Sequence, residues 1–131
     1  MSLILGQLPA DYPIPVIIVQ HRARESQDLF EEVLQRRCRI AVKQADEKEK
    51  IEGSRVYVAP PDYHLLVEMD KTFSLSSDPP VQFSRPSIDV LFETAAHAYK
   101  DKLVGIILTG SNSDGAAGIS EILKMGGLTI A

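Results

Sequence analysis

Short, continuous runs of β-branched and aliphatic residues alternate along this chain with segments whose apolar residues recur every three or four positions. Val16-Ile17-Ile18-Val19 is the first run; Arg39 to Val42, Val56 to Ala59 and Leu103 to Leu108 repeat it, and Leu128 to Ala131 begins another. A short unbroken apolar run bounded by turn-formers is the pattern of a strand buried on both faces of a parallel sheet. Between the runs, Leu29, Phe30, Val33 and Leu34 share one face of a predicted helix from about Gln27 to Arg37. Ser26 is placed to cap it, and Glu31 and Glu32 precede Arg36 and Arg37 in the order that favours side-chain pairing and the helix dipole.

The same logic predicts a helix after Ser87, with Asp89 in its first turn and Val90, Leu91, Thr94, Ala95 and Ala98 on its packing face, to about Lys100. A further helix runs from Gly115 to Lys124 and stops at Gly126-Gly127. His64 to Glu68 and Thr72 to Leu75, joined across Met69-Asp70-Lys71, read as a β-hairpin. Residues 44–53 and 76–85 are loops, and Pro13 and Pro15 hold their neighbourhood extended. Strands alternating with helices imply an α/β fold: a doubly wound, mainly parallel sheet flanked by helices, with a small hairpin, across a single unit of residues 1–131. Residues 4–9 read as the last turn of a helix, and the final residues as the start of a strand. The pattern is therefore expected to be part of a larger domain.

Composition narrows the function classes. A 44% hydrophobic content over 131 residues supports a core. No apolar run approaches the roughly 18 residues of a membrane-spanning helix, and the opening residues do not have the pattern of a signal peptide. One cysteine, Cys38, fits a reducing, cytoplasmic compartment. Fourteen basic residues against eighteen acidic ones give a net charge of −4. Without a basic cluster to neutralise phosphates, nucleic-acid binding is not expected.

Two residues stand where strands run out, the position at which ligands meet open α/β sheets. His21 follows the first strand, and Asp114 lies in the glycine-bounded loop Thr109-Gly110-Ser111-Asn112-Ser113-Asp114-Gly115-Ala116-Ala117-Gly118. They are the imidazole and carboxylate that a hydrolytic triad needs beside a nucleophile. Each also has a plainer reading: a histidine hydrogen-bonded at a strand end, and an aspartate capping the helix that follows it. Ser111 and Ser113 are outside any G-x-S-x-G elbow and read as loop hydrogen-bonders. His64 and His97 have no neighbours at metal-ligand spacing, so no metal site is expected. Gly110, Gly115 and Gly118 match neither phosphate-binding glycine pattern, which leaves a nucleotide-binding signalling domain as a weak alternative.

Four separated segments together resemble the catalytic domain of the chemotaxis protein-glutamate methylesterases, the CheB family. They are Gln20-His21, Val56-Tyr57-Val58-Ala59-Pro60-Pro61-Asp62-Tyr63-His64, Arg85-Pro86-Ser87-Ile88-Asp89-Val90-Leu91-Phe92, and Ile107-Leu108-Thr109-Gly110 through Asp114-Gly115-Ala116-Ala117-Gly118. They occur in the family's order and cover nearly the whole chain. The resemblance implies an esterase that hydrolyses glutamyl methyl esters on chemoreceptor helices, deamidates particular glutamines, and uses no metal or organic cofactor. His21 would be the general base and Asp114 its orienting carboxylate, with Gly110 and Ser111 at the oxyanion and substrate-binding part of the loop. Ser111 stands where the family commonly has methionine, and its backbone N–H can still donate there.

The family's G-x-S-x-G-G nucleophile segment does not occur in these 131 residues. The expectation is thus a truncated catalytic core, lacking the nucleophile segment and the C-terminal part, and inactive by itself. The alternative is a methylesterase-like module that binds a receptor or signalling partner without catalysis. The particular receptor, the oligomeric state and any regulatory receiver domain are not legible in the sequence.

Overall fold

A computed structural model of the chain describes residues 2–21, 29–108 and 113–130. Strands β1 (Val16–Ile18), β2 (Ala41–Gln44) and β3 (Arg55–Val58) form a parallel sheet in the order β1-β3-β2. Val56 is level with Val16 on one side and Val42 on the other. Successive side chains on a strand point to opposite faces, and β3 shows what this does. Val56 joins a core with Leu5, Ile18, Leu34 and Ile40, under helices α1 (Ser2–Leu5) and α2 (Phe30–Arg36). Tyr57, one residue on, joins a second core with Leu65, Phe73, Leu91 and Ala95. That core is supplied by the hairpin β4 (His64–Val67) and β5 (Phe73–Ser76) and by helix α3 (Ile88–Tyr99). The sheet is thus covered on both faces, as a doubly wound fold requires. The Tyr57 hydroxyl avoids a desolvation penalty by accepting the Glu52 N–H at 2.9 Å and donating to the Lys50 carbonyl.

After a 3₁₀ turn at Lys100–Lys102, β6 (Val104–Ile106) pairs in parallel with β7 (Leu128–Ile130) across the crossover helix α4 (Ala116–Lys124). The sequence predicts a strand buried on both faces here, and the structure differs. Gly105 is buried against Ile122 and Phe92, whereas Val104, Ile106 and Leu108 are each about half-exposed. The two helices cover one face of this ribbon. On the other, Val104 and Ile106 join Leu128 and Ile130 in an uncovered apolar surface among the described residues.

The helix expected from Gln27 begins at Phe30, with Leu29 before it making no side-chain cap bond; Ser26 lies outside the described residues. Of its expected apolar face only Leu34 is buried, while Leu29 and Val33 are exposed. The strand expected at Arg39 to Val42 begins two residues later. Ile40 is drawn into the core, and the Gln35 carboxamide accepts the Val42 N–H at 2.7 Å while donating to the Ile40 carbonyl. No helix among the described residues is long and apolar enough to cross a membrane.

Helices α3 and α4 approach closely because Gly118 has no side chain. A Cβ there would lie 2.6 Å from the Phe92 Cβ and 3.3 Å from an Asp89 oxygen. Helix propensity favours alanine over glycine by about 1 kcal/mol, but overpacking a tight contact costs about 1–3 kcal/mol. Gly118→Ala should therefore be destabilising on balance, with a lower urea midpoint at unchanged slope. A raised midpoint would show that the helices can move apart freely.

Candidate active site

Strands β1 and β6 belong to separate parallel ladders, and a residue after each takes part in the site. His21 lies three residues beyond β1, and Asp114 lies in the turn that leads into α4. Ninety-three positions apart in sequence, they join through a 2.8 Å hydrogen bond in which His21 Nε2–H donates to Asp114 Oδ2. The Asp114 side chain has no solvent exposure, while that of His21 is 34% exposed. An enclosed carboxylate behind a solvent-facing imidazole fixes the ring and its tautomer. With Nε2 holding the proton toward Asp114, Nδ1 is the basic nitrogen.

Three further groups hold Asp114. Ser87 Oγ–H donates to Oδ1 at 2.8 Å, the Asp89 backbone N–H donates to Oδ1 at 2.9 Å, and the Ile88 N–H donates to Oδ2 at 2.6 Å. Burial by itself would raise the carboxyl pKa, but the Asp89 and Ile88 N–H groups, with His21 and Ser87, outweigh it and hold it below the ordinary value. A carboxylate depressed in the folded state adds stability above its unfolded pKa of about 3.9, and that stability is lost as pH falls through the lower folded value. Acid unfolding should accordingly be steeper below about pH 4 for the parent than for a variant lacking this carboxylate. Unfolding midpoints measured from pH 7 down to pH 2 give the comparison; parallel curves would mean that Asp114 has no such linkage.

Of the two sequence readings of Asp114, the cap takes an unexpected form. Asp114 does not cap its own helix. It accepts the first N–H groups of α3, whose N-cap is Ser87, as expected, with a long 3.4 Å bond from the Val90 N–H. The N-cap of α4 is Gly115, in the left-handed region at φ 119°, which provides no side chain. Asp89 fills that role from across the interface, with one oxygen accepting the N–H groups of both Gly115 and Gly118.

Gly110 and Ser111 lie outside the described residues. Ser113 Oγ–H donates to Gln82 Oε1 at 2.8 Å and ties its turn to another loop, while its carbonyl accepts the Ala116 N–H within the turn. Arg85 is a clamp between loops. It contacts Asp62 through two nitrogens, at 2.7 and 3.2 Å, and donates to the Ser77 and Asp78 carbonyls. His64 is buried, with Nε2–H donating to the Pro79 carbonyl, and His97 faces Glu121 on the surface. No group of three metal-ligating side chains occurs among the described residues.

Comparison with known proteins decides the family. Residues 1–131, the whole chain, match the family model described as CheB methylesterase. The chain belongs to the CheB methylesterase family. Among its relatives is a putative protein-glutamate methylesterase/protein-glutamine glutaminase of Leptospira interrogans, 55% identical over 99% of this chain and 67% of the relative. A protein-glutamate methylesterase/protein-glutamine glutaminase of Symbiobacterium thermophilum is 39% identical over 98% of this chain, which spans only 35% of that protein. The fold matches the crystal structure of the Thermotoga maritima CheB methylesterase catalytic domain with a TM-score of 0.94 and 31% identity, over 99% of this chain and 70% of that one.

Within this CheB-family chain the Arg85 to Phe92 segment does more than begin a helix. Ser87, Ile88 and Asp89 each supply a donor to Asp114. Sequence spacing alone does not expose that role, because the carboxylate they hold is 25 to 27 positions away. The one signal was an Asp two residues after an N-cap Ser, which dipole arguments explain without any tertiary partner.

Proposed function

We propose that His21 and Asp114 are the general base and orienting carboxylate of a protein-glutamate methylesterase that also deamidates glutaminyl side chains, acting in the cytoplasm on methyl-accepting chemoreceptor helices. The observation that carries this is the 2.8 Å bond from a solvent-facing imidazole to a fully enclosed carboxylate held by three other donors. Nδ1 takes the proton of an attacking serine hydroxyl and delivers it to the departing methoxide oxygen, which leaves as methanol, or in deamidation to the amide nitrogen, which leaves as ammonia. Asp114 stays ionised and stabilises the imidazolium formed between the two steps. Water then attacks the acyl-enzyme, with the same nitrogen as base, to free the glutamate carboxylate.

The serine belongs to a G-x-S-x-G-G segment that is not among these residues. The peptide N–H groups of Gly110 and Ser111 serve as oxyanion donors, a role for which the main chain suffices. The cycle needs no metal or organic cofactor. Membership of the CheB family and the methylesterase/glutaminase relatives support the substrate class. Methanol release from methylated chemoreceptor helices tests it, using the chain joined to a serine-bearing segment. Release should exceed the rate without protein by at least about 10⁶-fold, the lower range of enzymatic accelerations. Hydrolysis of simple esters without release from the receptor would assign the site to another substrate.

A further inference from the structure

The hydrogen bonds between α3 and α4 form a reciprocal exchange. Asp114, just before α4, receives the N–H groups of Ile88 and Asp89 at the start of α3. Asp89, in the first turn of α3, receives the N–H groups of Gly115 and Gly118 at the start of α4, at 2.9 and 2.8 Å. Each carboxylate thus satisfies donors that the other's helix leaves without an intrahelical partner. Both residues are buried, Asp89 to 5% and Asp114 to 4% exposure.

The exchange is not symmetrical in consequence. Asp89 sits within a twelve-residue helix anchored by buried Leu91, Ala95 and Ala96. Asp114 belongs to a turn, and the residue after it, Gly115, has a backbone conformation that side-chain-bearing residues rarely adopt. The peptide N–H that Asp89 grips at Gly115 belongs to the bond joining Gly115 to Asp114 itself. Fixing that peptide plane fixes where the Asp114 side chain leaves the backbone. The contact at Gly118, where a Cβ would lie only 3.3 Å from Asp89 Oδ1, shows how little room the arrangement has.

We infer that Asp89 is a positioning residue for this site: through the Gly115 and Gly118 N–H groups it holds the turn that keeps Asp114 in line with His21 Nε2. The inference rests on His21 and Asp114 being the functional pair, as proposed above, but its test does not depend on turnover. The Asp89 backbone N–H reaches Asp114 directly and is kept in every Asp89 variant, whereas the Asp89 carboxylate acts on Asp114 through the turn, by way of the Gly115 and Gly118 N–H groups.

Proton exchange of the two histidine Nε2–H groups, followed by NMR with ¹⁵N-labelled histidine, separates positioning from general structural support. His21 Nε2–H reports the bond to Asp114, and His64 Nε2–H, donated to the Pro79 carbonyl in a different part of the fold, reports intact structure. Asp89→Ala should speed His21 exchange by about tenfold or more, the scale of one lost charge-assisted hydrogen bond, and leave His64 exchange unchanged. Asp89→Asn keeps an acceptor oxygen without the charge, and should speed His21 exchange by a few-fold only, about half the effect on a logarithmic scale.

A folded Asp89→Ala protein with parental His21 exchange overturns the inference and leaves Asp89 as a cap of α4 alone. Should Asp89→Ala lose both signals through unfolding, Asp89→Asn decides. Faster exchange at His21 with parental exchange at His64 supports positioning, and parental exchange at both overturns it. Loss of methylesterase activity from His21→Ala is a separate result. A failure there, with the exchange pattern as expected, would revise the function and leave the positioning role of Asp89 intact.

Discussion

Asp114→Ala should be among the most destabilising single substitutions in this protein, although it removes only one small side chain. The carboxylate gathers His21 Nε2–H, Ser87 Oγ–H and the backbone N–H groups of Ile88 and Asp89. His21 can turn to water, being partly exposed. The other three are left at a buried helix terminus, where each donor without an acceptor costs about 1–3 kcal/mol. Some relaxation and water entry offset this, so a net loss of about 3–5 kcal/mol is expected, comparable to breaking a buried charged pair. Against a total stability of about 5–15 kcal/mol, that is enough to bring the fold near its threshold. Asp114→Asn should cost less, since it retains one oxygen, but its amide group confronts donors on the other side. Urea unfolding measures both. A loss below about 1 kcal/mol for Asp114→Ala would mean that water replaces the carboxylate at little cost.

His21→Ala should do the reverse, abolishing activity while leaving the fold nearly untouched. The ring is a third exposed, and the carboxylate it donates to keeps the Ser87, Ile88 and Asp89 donors when the ring is removed. A stability change within about 1 kcal/mol is expected. With the serine-bearing segment present, methanol release should fall by at least about 10⁴-fold, the scale of losing the base from a hydrolytic triad, to a residue supplied by oxyanion donors and binding. Two neighbours joined by one hydrogen bond would then divide the work: Asp114 supports the fold and the site, His21 the chemistry. An equal loss of stability from both substitutions would contradict that division.

Much of this was legible in the sequence because the responsible interactions are local. Val56 to Ala59 is buried throughout and lies at the centre of the three-stranded sheet, as an unbroken apolar run predicts. Ser87 opens a helix that ends within a residue of its expected limit. His21 and Asp114 were identifiable by position, since each follows a parallel strand. What escaped depends on partners distant in sequence. The apolar run at Leu103 to Leu108 says nothing of whether a second layer covers both faces, and here one face is open among the described residues. The ordinary cap signal at Asp114 and the ordinary dipole signal at Asp89 each pointed to their own helix, whereas the structure exchanges them. Local rules give the right residue type at a helix end without revealing which helix it serves. Arg85 escaped for the same reason, because its partners come from Asp62 and from the loop before it.

Methanol release from methylated chemoreceptor helices, measured for these 131 residues alone and for the same residues joined to a G-x-S-x-G-G segment of the CheB family, tests the assignment most directly. Background release from the chain alone, turnover from the joined protein, and its loss in His21→Ala are the predicted results. Turnover by the chain alone that disappears in His21→Ala would place the nucleophile among these residues and contradict the account, as would a folded joined protein that releases no methanol.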